Sequence, residues 1–316
     1  MSARATGLVI GFAADRLLGD PARHHPVAGF GRLAGALEQR MWADDRLTGA
    51  AYTATLVGGA GALGLLADHA TRGRPVARTL LTAVTTWSVI GGRSLGREAQ
   101  HVHAHLDRED LPAARQQLTH LVGRDPSQLD AAEISRATVE SVAENTSDAV
   151  VAPLLAGAAG GIGGLMAYRA ANTLDAMVGH RNERFERFGW ASARLDDVLN
   201  LAPARLSALL GAALAPLVGG RPTEAFEAWT RDARRHPSPN AGPVEAAFAG
   251  ALGVQLGGTN VYGSRVEHRP TLGSGRAPVV DDIGRSVRLA DAASLGALAV
   301  SAVIAARPRR QRPRRR

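Results

Sequence analysis

The chain alternates uncharged, Ala- and Gly-rich windows with arginine-bearing polar stretches, and this alternation limits its fold more than any other feature. The windows cover residues 48–67, 79–92, 149–168, 206–220 and 292–306. A helix needs roughly 20 apolar residues to cross a bilayer. Residues 48–67 and 149–168 reach that length, and the others need flanking arginines to snorkel. Small residues weaken insertion, but they allow close backbone approach between helices in lipid. Gly157 with Gly161, and Gly160 with Gly164, are spaced for such faces on a helix. The competing reading is a soluble all-α protein with buried helices, which the mean hydropathy of −0.06 favours. Hydropathy alone leaves both open.

Between the windows, residues 93–148 carry amphipathic helical spacing. Asp125, Pro126 and Ser127 form a helix-start signal, and the stretch up to the window at 149 reads as one long helix. Residues 221–247 are helical until His236, Pro237, Ser238, Pro239 and Asn240, which predict a loop. Residues 256–286 are rich in Gly and Pro without a period and predict loop. Strand signals are scarce. The fold class is all-α: a polytopic, integral membrane helical protein with amphipathic helices and long polar loops. We expect one helical membrane domain over residues 1–306 and a basic disordered tail over 307–316.

Charge and composition narrow the chemistry. The formal charge is +8, every one of the 37 basic residues is arginine, and cysteine is absent. Seven arginines fall in residues 307–316, and without them the remainder carries +1. The basicity is therefore a tail, which argues for a cytoplasmic carboxyl terminus and against a nucleic-acid-binding face. Lacking lysine, the chain has no Schiff-base residue for pyridoxal phosphate (PLP) and no P-loop of the Walker type. Lacking cysteine, it has no disulfide, no iron–sulfur cluster and no Cys-ligated zinc. His101, His103 and His105 alternate, so on a helix they diverge and do not share a zinc ion.

Four places carry candidate chemistry. Glu140, Glu144 and Asp148 repeat every four residues and form an acidic stripe running into the window at 149. Oxygen donors of this kind suit Mg²⁺; a solvated face paired with Arg136 is the plain alternative. After that window, Arg169, Asn172 and Asp175 share a helix face that Gly179 ends. Arg181, Asn182, Arg194, Asp196 and Asp197 follow, a set equally readable as a salt-bridged loop. Near the start, Asp15, Asp20, His24 and His25 surround a Gly-Asp-Pro turn and read first as structural. Arg234 and Arg235 precede a loop of hydroxyl, amide and free backbone groups suited to an anion.

Three strings carry a resemblance: VESVAENTSDAVVAPL at 139–154, YRAANTLDAMVGHRNERFERFGWASARLDDVLNLAPARL at 168–206, and HPSPNAG with EAAFAGALGVQLGG within 236–258. With DRLLGDP and HPV at 15–27, they resemble the CobD/CbiB family of cobalamin biosynthesis over nearly the whole chain. The sequence departs from the family at Ala149, at Pro243-Val244-Glu245 and at Thr259. The resemblance implies an adenosylcobinamide-phosphate synthase of the cell membrane. Such an enzyme joins adenosylcobyric acid to aminopropanol or its O-phosphate by an ATP-dependent amide bond. The partners implied are those substrates, the lipid bilayer and other late enzymes of the pathway, with no nucleic acid. Residue type and spacing then suggest roles. Glu140, Glu144 and Asp175 are candidate catalytic groups, and Glu144, Asp148 and Asp175 candidate Mg²⁺ ligands. Arg169, Asn172, Arg181, Asn182, Arg194, His236, Ser238 and Asn240 are candidate substrate and phosphate contacts. ATP and Mg²⁺ are the expected reactant and ion, with no PLP, iron–sulfur cluster or zinc. Two rivals stay open: another Mg²⁺-dependent membrane transferase acting on phosphorylated or prenyl substrates, and a non-enzymatic corrinoid-handling membrane protein. If all five windows cross, residues 93–148 and 168–205 fall on opposite sides, so a shared site requires the window at 149–168 to be re-entrant or buried.

Overall fold

The computed structural model describes residues 2–20, 25–123, 125–180, 182–262 and 265–307, with side chains omitted for 259–262 and 265–268. The helices run α1 (Ala3–Leu18), α2 (Pro26–Met41), α3 (Arg46–Ala70), α4 (Pro75–Val89), α5 (Gly92–Asp107), α6 (Leu111–Leu118), α7 (Ala131–Thr146), α8 (Ala152–Val178), α9 (Trp190–Leu199), α10 (Leu201–Ala213), α11 (Pro222–Asp232), α12 (Ala241–Leu252) and α13 (Val280–Ala306). A π turn, Ser147–Val151, joins α7 to α8. Local chemistry sets several starts. Ser2 and Asp45 cap α1 and α3 through side-chain oxygens, and proline opens α2, α4, α6 and α11. Helix α7 begins with a capping box of Asp130 and Glu133, five residues later than the Asp125 signal suggests. Asp125 instead turns the chain by accepting from the Ser127 amide.

Three helical stretches are long and apolar enough to cross a membrane: Arg46–Ala70, Ala131–Val178 and Val280–Ala306. The chain is thus a helical membrane protein. The window at 79–92 runs through the end of the 15-residue α4 to the first residue of α5. That at 206–220 divides between the 13-residue α10 and a 3₁₀ turn. At 1.5 Å per residue both fall short of a bilayer core of ~30 Å. On α3, α4 and α13, Leu63, Leu65, Leu66, Val76, Leu80, Val303 and Ile304 point outward, as lipid-facing side chains do.

The window at 149–168 does not cross once. Gly161 breaks α8 with φ 69° and ψ −147°, a conformation open almost only to glycine. The two arms then run back along each other. A Cβ placed on Gly157 would lie 2.9 Å from the Leu165 side chain. In an uninterrupted helix these positions are separated by about 12 Å of rise. Asp68 on α3 holds the tip, its Oδ2 accepting from the Ile162 amide at 3.0 Å. Arg4 donates to the Ala158 carbonyl at 3.1 Å. Gly64 lets α3 lie on the return arm, since a Cβ there would fall 2.6 Å from Gly163 Cα. The polar stretches before and after the window consequently meet at the same end of the bundle.

That end carries a compact polar-faced layer. Helix α12 is buried along its whole length, with Phe248 at the centre. Val102, Leu118, Ile134, Val139 and Ile283 pack in the same core. The loop expected over 256–286 is only partly a loop. Leu256–Tyr262 (β1) and Arg265–Leu272 (β2) form an antiparallel hairpin, with Leu256 opposite Leu272 and a register shift at Gly257. Gly257 and Gly258 take φ of 83° and 101°, the backbone of a bulge. Glycine and charge at these positions erase the alternation by which a strand is read.

Candidate functional site

The mouth of the α8 hairpin is built around the π turn. π turns insert an extra residue into a helix and recur at functional sites. Here two carbonyls of the turn are bonded from outside. The Ala149 oxygen accepts from the Gly91 amide at 3.1 Å, and the Asp148 oxygen accepts from the Tyr168 hydroxyl at 3.0 Å. The first contact ties the turn to the α4–α5 junction. The second closes the hairpin.

From Tyr168 a buried polar chain runs into α9. Its hydroxyl also reaches Asn200 Oδ1 at 2.8 Å. Asn200 Nδ2 donates to Asp196 Oδ2 at 2.8 Å, and Asn172 Nδ2 to Asp196 Oδ1 at 3.3 Å. Burial pushes the Asp196 carboxyl above the ordinary carboxylate range, while the two amides pull it back. Glu144, Asp148, Asp175 and Asp196 are close enough to feel one another's charge, with Arg169 beside Asp148 and Arg269 beside Glu144. This is an acidic belt spread along the hairpin mouth. Among the described residues, no three His, Asp or Glu side chains converge as metal ligands.

Glu140 serves the backbone. Its Oε1 accepts from the Gly257 amide at 2.8 Å, while Arg136 bonds the Gly257 carbonyl and lies 3.9 Å from the same carboxylate. The pairing with Arg136 is present at Glu140, but the face is buried and not solvated as the plain alternative had it. Glu144 lines a cavity of about 120 Å³ with Ser141, Glu245 and Arg269.

The His236 loop borders the belt. His236 is buried; its Nδ1 accepts from the Ser238 amide at 3.1 Å, and its Nε2 lies 3.9 Å from Glu245. Ser238 Oγ accepts from the Ala241 amide and so caps α12. Asn240 donates to the Asp197 carbonyl at 2.8 Å and accepts from Arg205 at 3.0 Å. Arg205, Trp229, Arg234 and His236 frame a cleft of about 490 Å³.

The structure brings together Glu144, Asp148, Arg169, Asn172 and Asp175, with the His236–Asn240 loop alongside. It leaves others apart. Arg194 is 61% exposed and pairs with Asp197 at 3.6 Å. Asn182 is exposed and caps a turn through the Phe185 amide. Arg181, His24 and residues 308–316 of the tail lie outside the described residues. Asp15 caps the start of α5 through the Arg93 amide, and His25 caps α2, both structural roles. Tyr168, Asn200 and Arg205 escaped the sequence reading. The four-residue spacing of Asp196 and Asn200, about one helical turn, is a signal for that pair alone.

These features define a helical membrane protein with a half-buried polar site at the mouth of a helical hairpin. A family model described as CobD/Cbib protein matches residues 8–290. The chain is similar to the cobalamin biosynthesis protein CobD of Mycobacterium tuberculosis, at 51% identity over 96% of this chain and 97% of the relative. The CobD proteins of Geobacter metallireducens and Chromobacterium violaceum are 46% and 44% identical, over 84% and 89% of this chain and 85% and 90% of theirs. No solved structure matches it. The chain belongs to the CobD/CbiB family and is a biosynthetic enzyme of the cobalamin pathway.

Proposed function

We propose that the chain forms an amide between a propionate carboxylate of adenosylcobyric acid and aminopropanol or its O-phosphate, using ATP. The observation that carries this reading is the juxtaposition at the hairpin mouth. An acidic belt with amide and guanidinium partners lies beside a basic cleft large enough for a phosphate-bearing group. Amide formation from a carboxylate needs activation, an amine free of its extra proton, and stabilisation of negative charge. ATP would activate the carboxylate as an acyl phosphate, and the amine nitrogen would displace phosphate from it. Asp196, with its raised affinity for a proton, and Asp175 are suited to accept the proton the amine loses. Arg205 and Arg234 are suited to hold phosphate oxygens, and Arg169 a carboxylate or phosphate at the belt. Oxygen donors at Glu144, Asp148 and Asp175 suit Mg²⁺, one or two of them at a time with phosphate completing its shell. The ion would supply neutralisation of phosphate charge.

We place the polar end in the cytoplasm, where ATP is available. The carboxyl-terminal end of α13 lies at the other end of the bundle, so this reading reverses the tail orientation expected from charge. The polar end has arginines of its own at Arg16, Arg46 and Arg93, so the rule of positive loops does not favour the tail alone. A reporter fused after Arg316 checks this: a cytoplasmic reporter would refute an ATP-fed site at the polar end. The activity test is purified protein with adenosylcobyric acid, aminopropanol phosphate or aminopropanol, ATP and Mg²⁺, with the product weighed by mass spectrometry. We expect the amide to form, and to be lost in Asp196→Ala protein that still inserts. No amide with either amine would overturn the reading.

A further inference from the structure

The end of the bundle away from the carboxylates holds a second cavity, of about 560 Å³. It lies where the start of α1, the α3–α4 turn and the end of α13 meet, with Ser2 Oγ bonded to the Ala305 carbonyl at 2.7 Å. Arg4, Arg72, Arg78 and Arg307 line it, and no carboxylate does. The nearby acid, Asp68, is already engaged. Its Oδ1 accepts two bonds from Arg78, at 2.9 and 3.2 Å, and its Oδ2 holds the Ile162 amide of the hairpin tip. Asp68 thus balances one positive charge of the cavity, and Arg4 is bonded to the hairpin tip through the Ala158 carbonyl. Among the described residues, Arg72 and Arg307 have no carboxylate partner.

The surroundings select the ligand. Exposed Leu65 and Leu66 on α3, Val76 and Leu80 on α4, and Val303 and Ile304 on α13 flank the cavity on the outer surface. A free anion would meet the guanidiniums and leave this apolar surface uncovered. A phospholipid meets both, its phosphate in the basic cavity and its acyl chains along the helices. We propose that this cavity binds the headgroup of an anionic phospholipid. Arg4 and Asp68, which hold the hairpin tip, form or adjoin its wall. The bound headgroup would relieve repulsion among the guanidiniums and tighten the grip on the tip, about 20 Å along the bundle from Asp148.

The test uses the full chain purified in a nonionic detergent. Thermal unfolding and native mass spectrometry are followed with added phosphatidylglycerol, phosphatidylcholine, or inorganic phosphate. We expect phosphatidylglycerol to raise the melting temperature and remain as a defined adduct, and phosphatidylcholine and phosphate to do neither. Combining Arg72→Gln with Arg307→Gln should weaken phosphatidylglycerol binding by roughly 10- to 30-fold. Arg108→Gln, at the far end of α5, should leave it unchanged. Equal shifts with phosphatidylcholine, or a full shift with phosphate alone, would overturn the lipid assignment. So would loss of the response on deleting residues 308–316 while the double substitution retains it.

Discussion

The helical hairpin gives the most direct test of the fold, and the natural absence of cysteine makes that test clean. Gly157→Cys and Leu165→Cys in one chain place two thiols on facing arms. A Cβ on Gly157 lies 2.9 Å from side-chain atoms of Leu165. Replacing Leu165 by the smaller cysteine removes that overlap, the flexible end of Leu8, at 2.8 Å, has to shift, and the two Cβ atoms stand near disulfide range, about 3.5–4.5 Å. In a straight helix the same pair would be separated by about 12 Å of rise, beyond any disulfide. Mild oxidation in the membrane, then denaturation and labelling with a PEG-maleimide, reads the outcome as a shift on a gel. The double variant should lose both labels without forming a dimer, and either single variant should keep its label. Mass spectrometry should show the loss of two hydrogens. If both thiols of an inserted double variant stay labelled after oxidation, the arms do not face each other and the shared mouth at Asp148 and Tyr168 falls with them.

Three further outcomes follow from the same geometry. Gly161→Ala should cost about 1–3 kcal/mol from backbone strain alone, with more from crowding against Asp68, and thermal unfolding in detergent measures it. Tyr168→Phe deletes a hydroxyl that serves both Asn200 and the Asp148 carbonyl, and leaving those acceptors buried should cost about 1–3 kcal/mol by the same assay. Arg231 holds the buried Asp232 carboxyl below its ordinary pKa, and the Gly273 amide donates to it at 2.9 Å. A lowered folded pKa stabilises above the unfolded value of ~3.9 and is lost as pH falls through the folded value. Asp232→Asn should therefore be less stable than the parent at pH 7, with the gap closing below pH ~4; a gap independent of pH would contradict this.

The sequence makes legible what short-range chemistry decides. The windows at 48–67 and 292–306 lie within long helices, Gly179 ends α8, and the prolines around His236 make the loop they predict. The hairpin is different. Gly157, Gly160, Gly161 and Gly164 fit the small face of a straight helix as well as a reversal. What decides between them is Asp68, 94 positions before the amide it holds. The acidic stripe shows the same limit. Glu140 is drawn to the Gly257 amide, 117 positions away, and the π turn displaces Asp148 from an unbroken helical repeat. Asn172, which bonds Asp196, and Asp197 and Arg205, which bond Asn240, come from other helices, so spacing within α9 or the loop could place the residues but not these bonds. The Arg136–Glu140 pair, set by helical spacing within α7, was the part of the stripe that local reasoning could reach.

The π turn also bears on how such a chain changes through time. One residue more or fewer in a helix rotates everything beyond it by about 100°. Deleting a single residue from Ser147–Val151 would heal the helix into regular form and swing the first hairpin arm to a new azimuth. The Asp148 and Ala149 carbonyls would then miss Tyr168 and Gly91 although every one of those groups was still encoded. Alignment at the mouth is thus a matter of phase, written in chain length as much as in residue identity. In this segment, a lineage that loses one residue risks more than one that exchanges several.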